Sequence, residues 1–517
     1  MKKMYSLLLA AVLVTALFVT TGCPGRGAGA VRTRTDTLVI VSHVMPPNLD
    51  PTLTNEIGSA RMHRHIYSTL VDLDTNMNIV PSLAYRWQFE YDAHGNATQL
   101  RMFLRRGVLF HNGDELKASD VYFSLMRAAA SPHVGHITGM VENVEVINDY
   151  EVLLTMPFPF SPILNHLAHT AMSILNERAV TALGVDGHSL APVGTGPFRV
   201  TNIVTGDRIE FARWDQYFGT PARIPNMVLR IVPDAATRLI ELELGAIDLI
   251  VDIAPFDIAR VEANPDLILL RGPSLLTEYI GFNVQRPPFN DVRVRQAINY
   301  AIDTETIVAI AYAGAGSVST GPLSPMVWGS ISDQLEPFQF NPDRARQLLA
   351  EAGFPNGFNA VIGTNDNPAR LDAAEMTRHM LAQVGINVDL EIREMVSILD
   401  MTHRGELDMF SIGWFTLTGD ADYGLHPLFH SSNFGAAGNR SFYYNPTVDR
   451  LLDEARRETN PARRLELYAE VQHILRDEAV INFSWVGEIL VGIRSDVRGF
   501  NLHPSQVHLL TTVYFAP

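Results

Sequence analysis

Residues 100–127 read LRMFLRRGVLFHNGDELKASDVYFSLMR, and the fold is decided by how this stretch is read. Gly107 and Gly113 flank Phe110-His111-Asn112, where glycine permits the backbone angles of tight turns. Ser119 or Asp120 then stands where a helix carrying Val121, Phe123 and Leu125 would be capped. His111 lies inside the turn, and a structural role is preferred for it over a catalytic one.

Upstream, Thr37–Ser42 (TLVIVS) reads as the first strand and is broken by Pro46-Pro47-Asn48-Leu49-Asp50-Pro51. Downstream, residues 208–214, 227–232, 279–283, 388–392 and 409–414 are β-branched or aromatic with turn residues nearby, which predicts strands. Asn341-Pro342, Asn445-Pro446 and Asn460-Pro461 each set a capping Asn before a Pro suited to the first helical position. The run after Pro342 ends at Gly353, a C′ residue. After Pro461, Leu467, Val471 and Ile474 form the core stripe, with Arg464, Glu470 and Arg476 expected elsewhere on the helix. Strands and helices mixed over this length predict an α/β or α+β protein of more than one lobe.

The N-terminus carries a different message. Lys2 and Lys3, an apolar run over residues 7–19, and Thr20-Thr21-Gly22-Cys23 have the order of an export signal. Small residues before a lone cysteine resemble the lipobox of bacterial lipoproteins, which implies cleavage before Cys23 and acylation of its thiol. Two or more acyl chains would hold the protein on a membrane, at about 0.8 kcal/mol per buried CH₂. Residues 24–36 then read as a leash of about 13 residues with a reach of roughly 20 Å.

Composition removes several chemistries. Cys23 is the only cysteine, so an intrachain disulfide, a zinc-thiolate site and a cysteine nucleophile are excluded. The net charge is −16, and −18 once Lys2 and Lys3 leave with the signal, which argues against nucleic acid. Lys117 is then the one remaining lysine, and its neighbours Leu116 and Ala118 do not form a Walker A loop. Any ATPase serving this protein is a separate chain.

Residues 100–127 also resemble the signature of the family 5 periplasmic solute-binding proteins, which include peptide, glutathione and nickel receptors of ABC importers. Three further stretches agree in order: Ile79-Val80-Pro81-Ser82-Leu83-Ala84 with Trp87, Gly194-Thr195-Gly196-Pro197-Phe198, and Asn283 with the run from Pro287 to Ala297. The resemblance implies an α/β, two-lobed clamshell with an extra inserted domain and two hinge strands. Mapped onto this chain, it implies a signal at 1–22, a lipidated tether at 23–36, and lobe I at 37–64, 193–272 and 485–517. The inserted small domain falls at 65–192 and lobe II at 273–484. It also implies a monomer that works with ABC permease and ATPase subunits, without a cofactor.

Candidate ligand residues cluster in residues 413–423, GWFTLTGDADY. The resemblance places here an aspartate that pairs with a peptide's α-amino group, which Asp420 or Asp422 would supply, with Asp420 slightly favoured. A buried ammonium needs such an ionised partner. Trp414 and Tyr423 would cover ligand side chains. Arg370, with Arg378 as the alternative, would meet the peptide carboxylate through its planar fork of donors. Backbone groups at Gly281, Phe282 and Asn283 would pair with an extended peptide as an added strand.

The histidine pairs at 63/65, 133/136, 166/169 and 426/430 invite a metal reading, but without HExxH or cysteine they are read as surface or core. The leading function is thus a lipid-anchored receptor for a dipeptide, oligopeptide or glutathione-like peptide. A nickel, metal-chelate or haem receptor of the same fold is the alternative. From another class comes an anchored hydrolase with Asp420 and Asp422 as acid and base.

Overall fold

The structure, a computed structural model, describes residues 36–91, 95–435 and 438–516. The export segment, Cys23 and the leash as far as Thr35 lie outside the described residues. Among the described residues no helix is long and apolar enough to cross a membrane.

Two long antiparallel strands, Leu267–Phe282 and Ile481–Arg494, run through the middle of an 11-stranded mixed sheet. Their ladder pairs Leu267 with Arg494 as far as Pro273 with Glu488, breaks, and resumes from Thr277 with Val486 to Gly281 with Ile481. Pro273 has no N–H to give to the ladder, which suits it to such a break. On one side of the break the order continues through Leu249–Ile250, Thr37–Ser42, Asn226–Ile231, Arg208–Arg213 and Phe198–Val204. On the other side it continues through Met409–Phe415, Phe358–Thr364 and Ile386–Ile392, and the eleventh strand, Gly316–Val318, pairs off this path with Ile481–Arg494.

The apolar core divides at the same place. Ile489, Val491 and Ile493 pack with Leu38, Ile40, Met227 and Leu249 in the first lobe. Ile481 and Phe483 pack with Tyr279, Ile412 and Leu467 in the second. Each fully buried side chain of this kind stabilises its lobe by about 1.5–3 kcal/mol. A third core belongs to a four-stranded antiparallel sheet, Ala84–Glu90, Gln99–Leu104, Glu151–Thr155 and Asn143–Asn148 in that order, covered by the helix Ala118–Ala129.

Most elements expected from sequence are present, with instructive differences. The strand expected at 279–283 is only the end of a 16-residue strand. Lys117, not Ser119 or Asp120, is the N-cap of Ala118–Ala129. Asp120 instead reaches back from the third helical position, where its Oδ2 accepts the Lys117 N–H at 2.9 Å. His111 is structural: its Nε2 donates to the Gly196 carbonyl at 3.0 Å, and its backbone N–H donates to the Gly194 carbonyl at 2.9 Å. The two glycines of that motif are required by close approach. A Cβ on Gly194 would lie 2.0 Å from the Ile66 carbonyl oxygen, and one on Gly196 would lie 2.4 Å from that of His65.

Histidine is a recurrent buried residue of this fold. Burial pushes the imidazoles of His63 and His65 down to about 4 and those of His169 and His508 down to about 3. They are neutral in the fold, whereas an unfolded chain takes up their protons below pH 6.5. Their contribution to stability is therefore complete above pH 6.5 and is lost as pH falls towards the folded values, by up to about 1.4 kcal/mol per pH unit for each group. Scanning calorimetry should show Tm falling between pH 6.5 and 5, above the range in which most carboxylates titrate. A flat Tm over that window would contradict this account.

Candidate functional site

The strand Met409–Phe415 delivers the chain into a loop that ends at Asp420, the N-cap of the helix Ala421–Phe429. The Asp420 Oδ1 accepts the Asp422 N–H at 2.9 Å, and the helix N-terminus favours negative charge at both positions. Both carboxylates are buried and each already has an arginine. Arg464 Nη2 donates to Asp420 Oδ1 at 2.7 Å. Arg456 Nε lies 3.0 Å from Asp422 Oδ1, and His166 Nε2 lies 3.3 Å from its Oδ2. Burial alone would raise the Asp422 carboxyl, but Arg456 and His166 outweigh it and hold the group well below the usual carboxylate range.

Arg464 corrects the expectation drawn for its helix. In Pro461–Asp477 it is buried on the same stripe as Leu467, Tyr468, Val471 and Leu475, not on another face. An arginine at the i position of an apolar i, i+3, i+4, i+7 stripe was the available sign that a buried carboxylate awaited it.

Asp420 and Arg464 line a cavity of about 700 Å³, together with Trp328, Phe160, Phe89 and Tyr91. Trp414 and Tyr423 do not line this cavity but form a separate aromatic wall, with rings 5.3 Å apart and the Trp414 Nε1 donating to the Tyr423 carbonyl at 3.0 Å. Asn55, from the opposite lobe, donates from Nδ2 to the Tyr423 hydroxyl at 3.2 Å. The same Nδ2 lies 3.5 Å from His136 Nε2. Asn55 and the rings of His166 and His169 therefore all meet Tyr423, and Asn55 links it to His136. Asn55 and His136 were not singled out from sequence for this role, because nothing local marks a residue that meets a partner hundreds of positions away.

The remaining candidates are engaged inside the second lobe. Arg370 forms a buried pair with Glu278, its Nε donating to Oε2 at 3.1 Å, and its Nη1 donates to Asn365 Oδ1 at 2.6 Å. Arg378 is a half-exposed partner of Glu375. The expectation of an added peptide strand at Gly281, Phe282 and Asn283 is corrected. Gly281 pairs with Phe410 on one edge and Ile481 on the other, Phe282 is fully buried, and the Asn283 N–H donates to the Asp408 carbonyl. No ladder edge is free there.

Of the histidine pairs, His426 and His430 come nearest to a metal geometry, with ligand atoms within 4.8 Å of one another and of Asp453. Yet Arg456 Nη1 lies 3.0 Å from His426 Nε2 and Asn433 Nδ2 lies 3.1 Å from its Nδ1, so both ring nitrogens face N–H groups. The arrangement fits a structural stack, with ring centroids 4.5 Å apart, better than a metal centre.

Because Asp422 and Arg456 form an ion pair in a dry place, Asp422→Asn should lower the unfolding free energy by about 3–5 kcal/mol, as breaking a buried pair does. Urea denaturation measures this, and a loss under about 1 kcal/mol would refute a structural role for the pair.

Residues 78–436 match the bacterial extracellular solute-binding proteins, family 5 Middle. The chain is 31% identical to haem-binding protein A of Haemophilus influenzae over 86% of each chain. It is 30% identical to the glutathione-binding protein of Pectobacterium atrosepticum over 88% of this chain and 90% of the relative. Among solved structures, the ABC transporter-associated periplasmic binding protein DppA of Helicobacter pylori, in complex with the peptide STSA, superposes with a TM-score of 0.84 at 26% identity, over 93% of this chain and 98% of that one. The sheet divided at one break, the two lobes with separate cores and the match over most of the length lead to one conclusion: the chain belongs to family 5 of the bacterial extracellular solute-binding proteins, two-lobed substrate-binding receptors of ABC importers.

Proposed function

We propose that the protein is a lipid-anchored extracytoplasmic receptor that takes a small peptide between its lobes and delivers it to an ABC permease. The ligand class is a dipeptide, an oligopeptide or a glutathione-like peptide. The observation that carries this reading is the wall of Trp414 and Tyr423 facing Asn55 across the lobes. An aromatic wall offers apolar area with polar edges, which suits side chains of varied size beside a constant peptide backbone. Similarity to a glutathione-binding protein and to a peptide-bound structure supports the same ligand class. The hydrolase alternative falls away, because the family consists of non-enzymatic receptors. Asp420 and Asp422 also each have their own arginine, which leaves neither poised as a free acid or base.

A ligand touching both lobes favours the closed form by its differential affinity for the two states. Mass spectrometry of ligand released from natively purified protein should identify a peptide, and adding it back should reduce the radius of gyration in small-angle scattering. Recovery of a porphyrin or a metal chelate instead, or binding without compaction, would overturn the proposal.

Anchoring rests on Cys23 as the sole thiol, following Thr20-Thr21-Gly22. Cys23→Ala should abolish incorporation of labelled palmitate and release the protein from membranes. Equal labelling of variant and wild type would show that the thiol is not the acceptor.

A further inference from the structure

We infer that Arg440 reads a carboxylate of the bound ligand at the meeting of the lobes. The inference rests on the peptide-receptor reading and names the chemical group that the site selects.

The molecule provides its own standard for buried arginines. Arg61 pairs with Asp252, Arg370 with Glu278, Arg456 with Asp422 and Arg464 with Asp420. Arg295 has no carboxylate but donates to the carbonyls of Phe289, Glu478 and Ala479, and Arg238 donates to those of Val232 and Pro233. Arg440 follows neither pattern. Among the described residues no carboxylate pairs with it, its Nε is buried without a hydrogen-bond partner, and Nη1 makes one long bond of 3.4 Å to the Gly438 carbonyl. Its other polar neighbour is the Tyr279 hydroxyl.

The surroundings of Arg440 are just as one-sided. Its charge is felt by Tyr279, Tyr423, His136 and His403, which are phenols and imidazoles rather than acids. Tyr423 is the residue that Asn55 reaches from the opposite lobe, so this guanidinium borders the surface where the lobes meet. Burial pushes the His136 imidazole down to about 4, so at neutral pH it adds no charge of its own. Burial likewise works against the charge of Arg440.

A half-buried guanidinium whose Nε is sealed from water without an acid is costly, and a carboxylate that arrives with the ligand removes that cost through charge-assisted, two-pronged hydrogen bonds. Arg370 is less suited to the task. Its fork is already held by Glu278, and a ligand would have to displace that carboxylate.

The test titrates wild type, Arg440→Gln and Arg440→Lys by calorimetry, each after a check for a cooperative thermal transition. The probes are trialanine, its C-terminal amide, reduced glutathione, glutathione diethyl ester and sodium succinate. Expected is binding of free acids to wild type that falls about a hundredfold in Arg440→Gln, the size of loss seen when one partner of a buried charge pair is truncated. Amide and ester should bind wild type weakly, and the variant should no longer distinguish them from the acids. Arg440→Lys, which keeps the charge without the fork, should fall between. If succinate separates wild type from the variant while no peptide binds, the anion site stands and the peptide reading falls. Free acids that bind Arg440→Gln as well as wild type, or that bind neither, overturn the inference.

Discussion

The ladder between Leu267–Phe282 and Ile481–Arg494 is the connection on which everything else depends. Each strand belongs to both lobes, and hydrogen bonding between them is interrupted over only a few residues after Pro273. On either side of the interruption the strands are locked by further pairing, to Leu249–Ile250 in one lobe and to Met409–Phe415 in the other. Bending is thereby focused on a short stretch in which the two strands do not pair with each other, although Gly316–Val318 still pairs there with Gly487 to Trp485 and Leu276 with Phe415. Gly487 lies in it opposite Leu276, where even a Cβ would be crowded at 3.2 Å. The lobes can then change their relation as rigid bodies, each keeping its own core.

A second constraint is charge in a dry interior. Arginines meet carboxylates across long sequence separations, as in Arg464 with Asp420 and Arg370 with Glu278. Such pairs add little net stability over apolar packing, yet removal of one partner strands the other. They also explain why acidic residues that look available in a linear reading are spoken for in the fold. Among the described residues, Arg440 is a cation that no carboxylate meets and whose Nε has no hydrogen-bond partner.

What was legible in sequence follows the range of the forces involved. The Asn-Pro helix starts at 341, 445 and 460 were readable because capping involves only the next two or three residues, and Asn341, Asn445 and Asn460 each accept N–H groups as expected. The strand Thr37–Ser42 was readable because its apolar run is short and bounded. The state of the edges at Gly281 was not, since the neighbours Phe410 and Ile481 are more than a hundred residues away and nothing local announces them. The same holds for Asp420 and Arg464. Their chemistry was visible, but their mutual satisfaction depends on a helix packing that no window of the sequence contains.

The strand Thr37–Ser42, near the start of the chain, has Leu249–Ile250 as its neighbour, and that strand is in turn completed by Ile481–Arg494. Arg61 likewise waits for Gln506, whose backbone carbonyl and side-chain oxygen it binds. The first lobe therefore cannot finish folding until residues 481–506 have been made. A chain threaded N-terminus first across a membrane would emerge with its leading lobe still open, held in a loose, translocation-competent state by topology alone. The cost is a late and slow closure, since contacts this distant in sequence are the last to form.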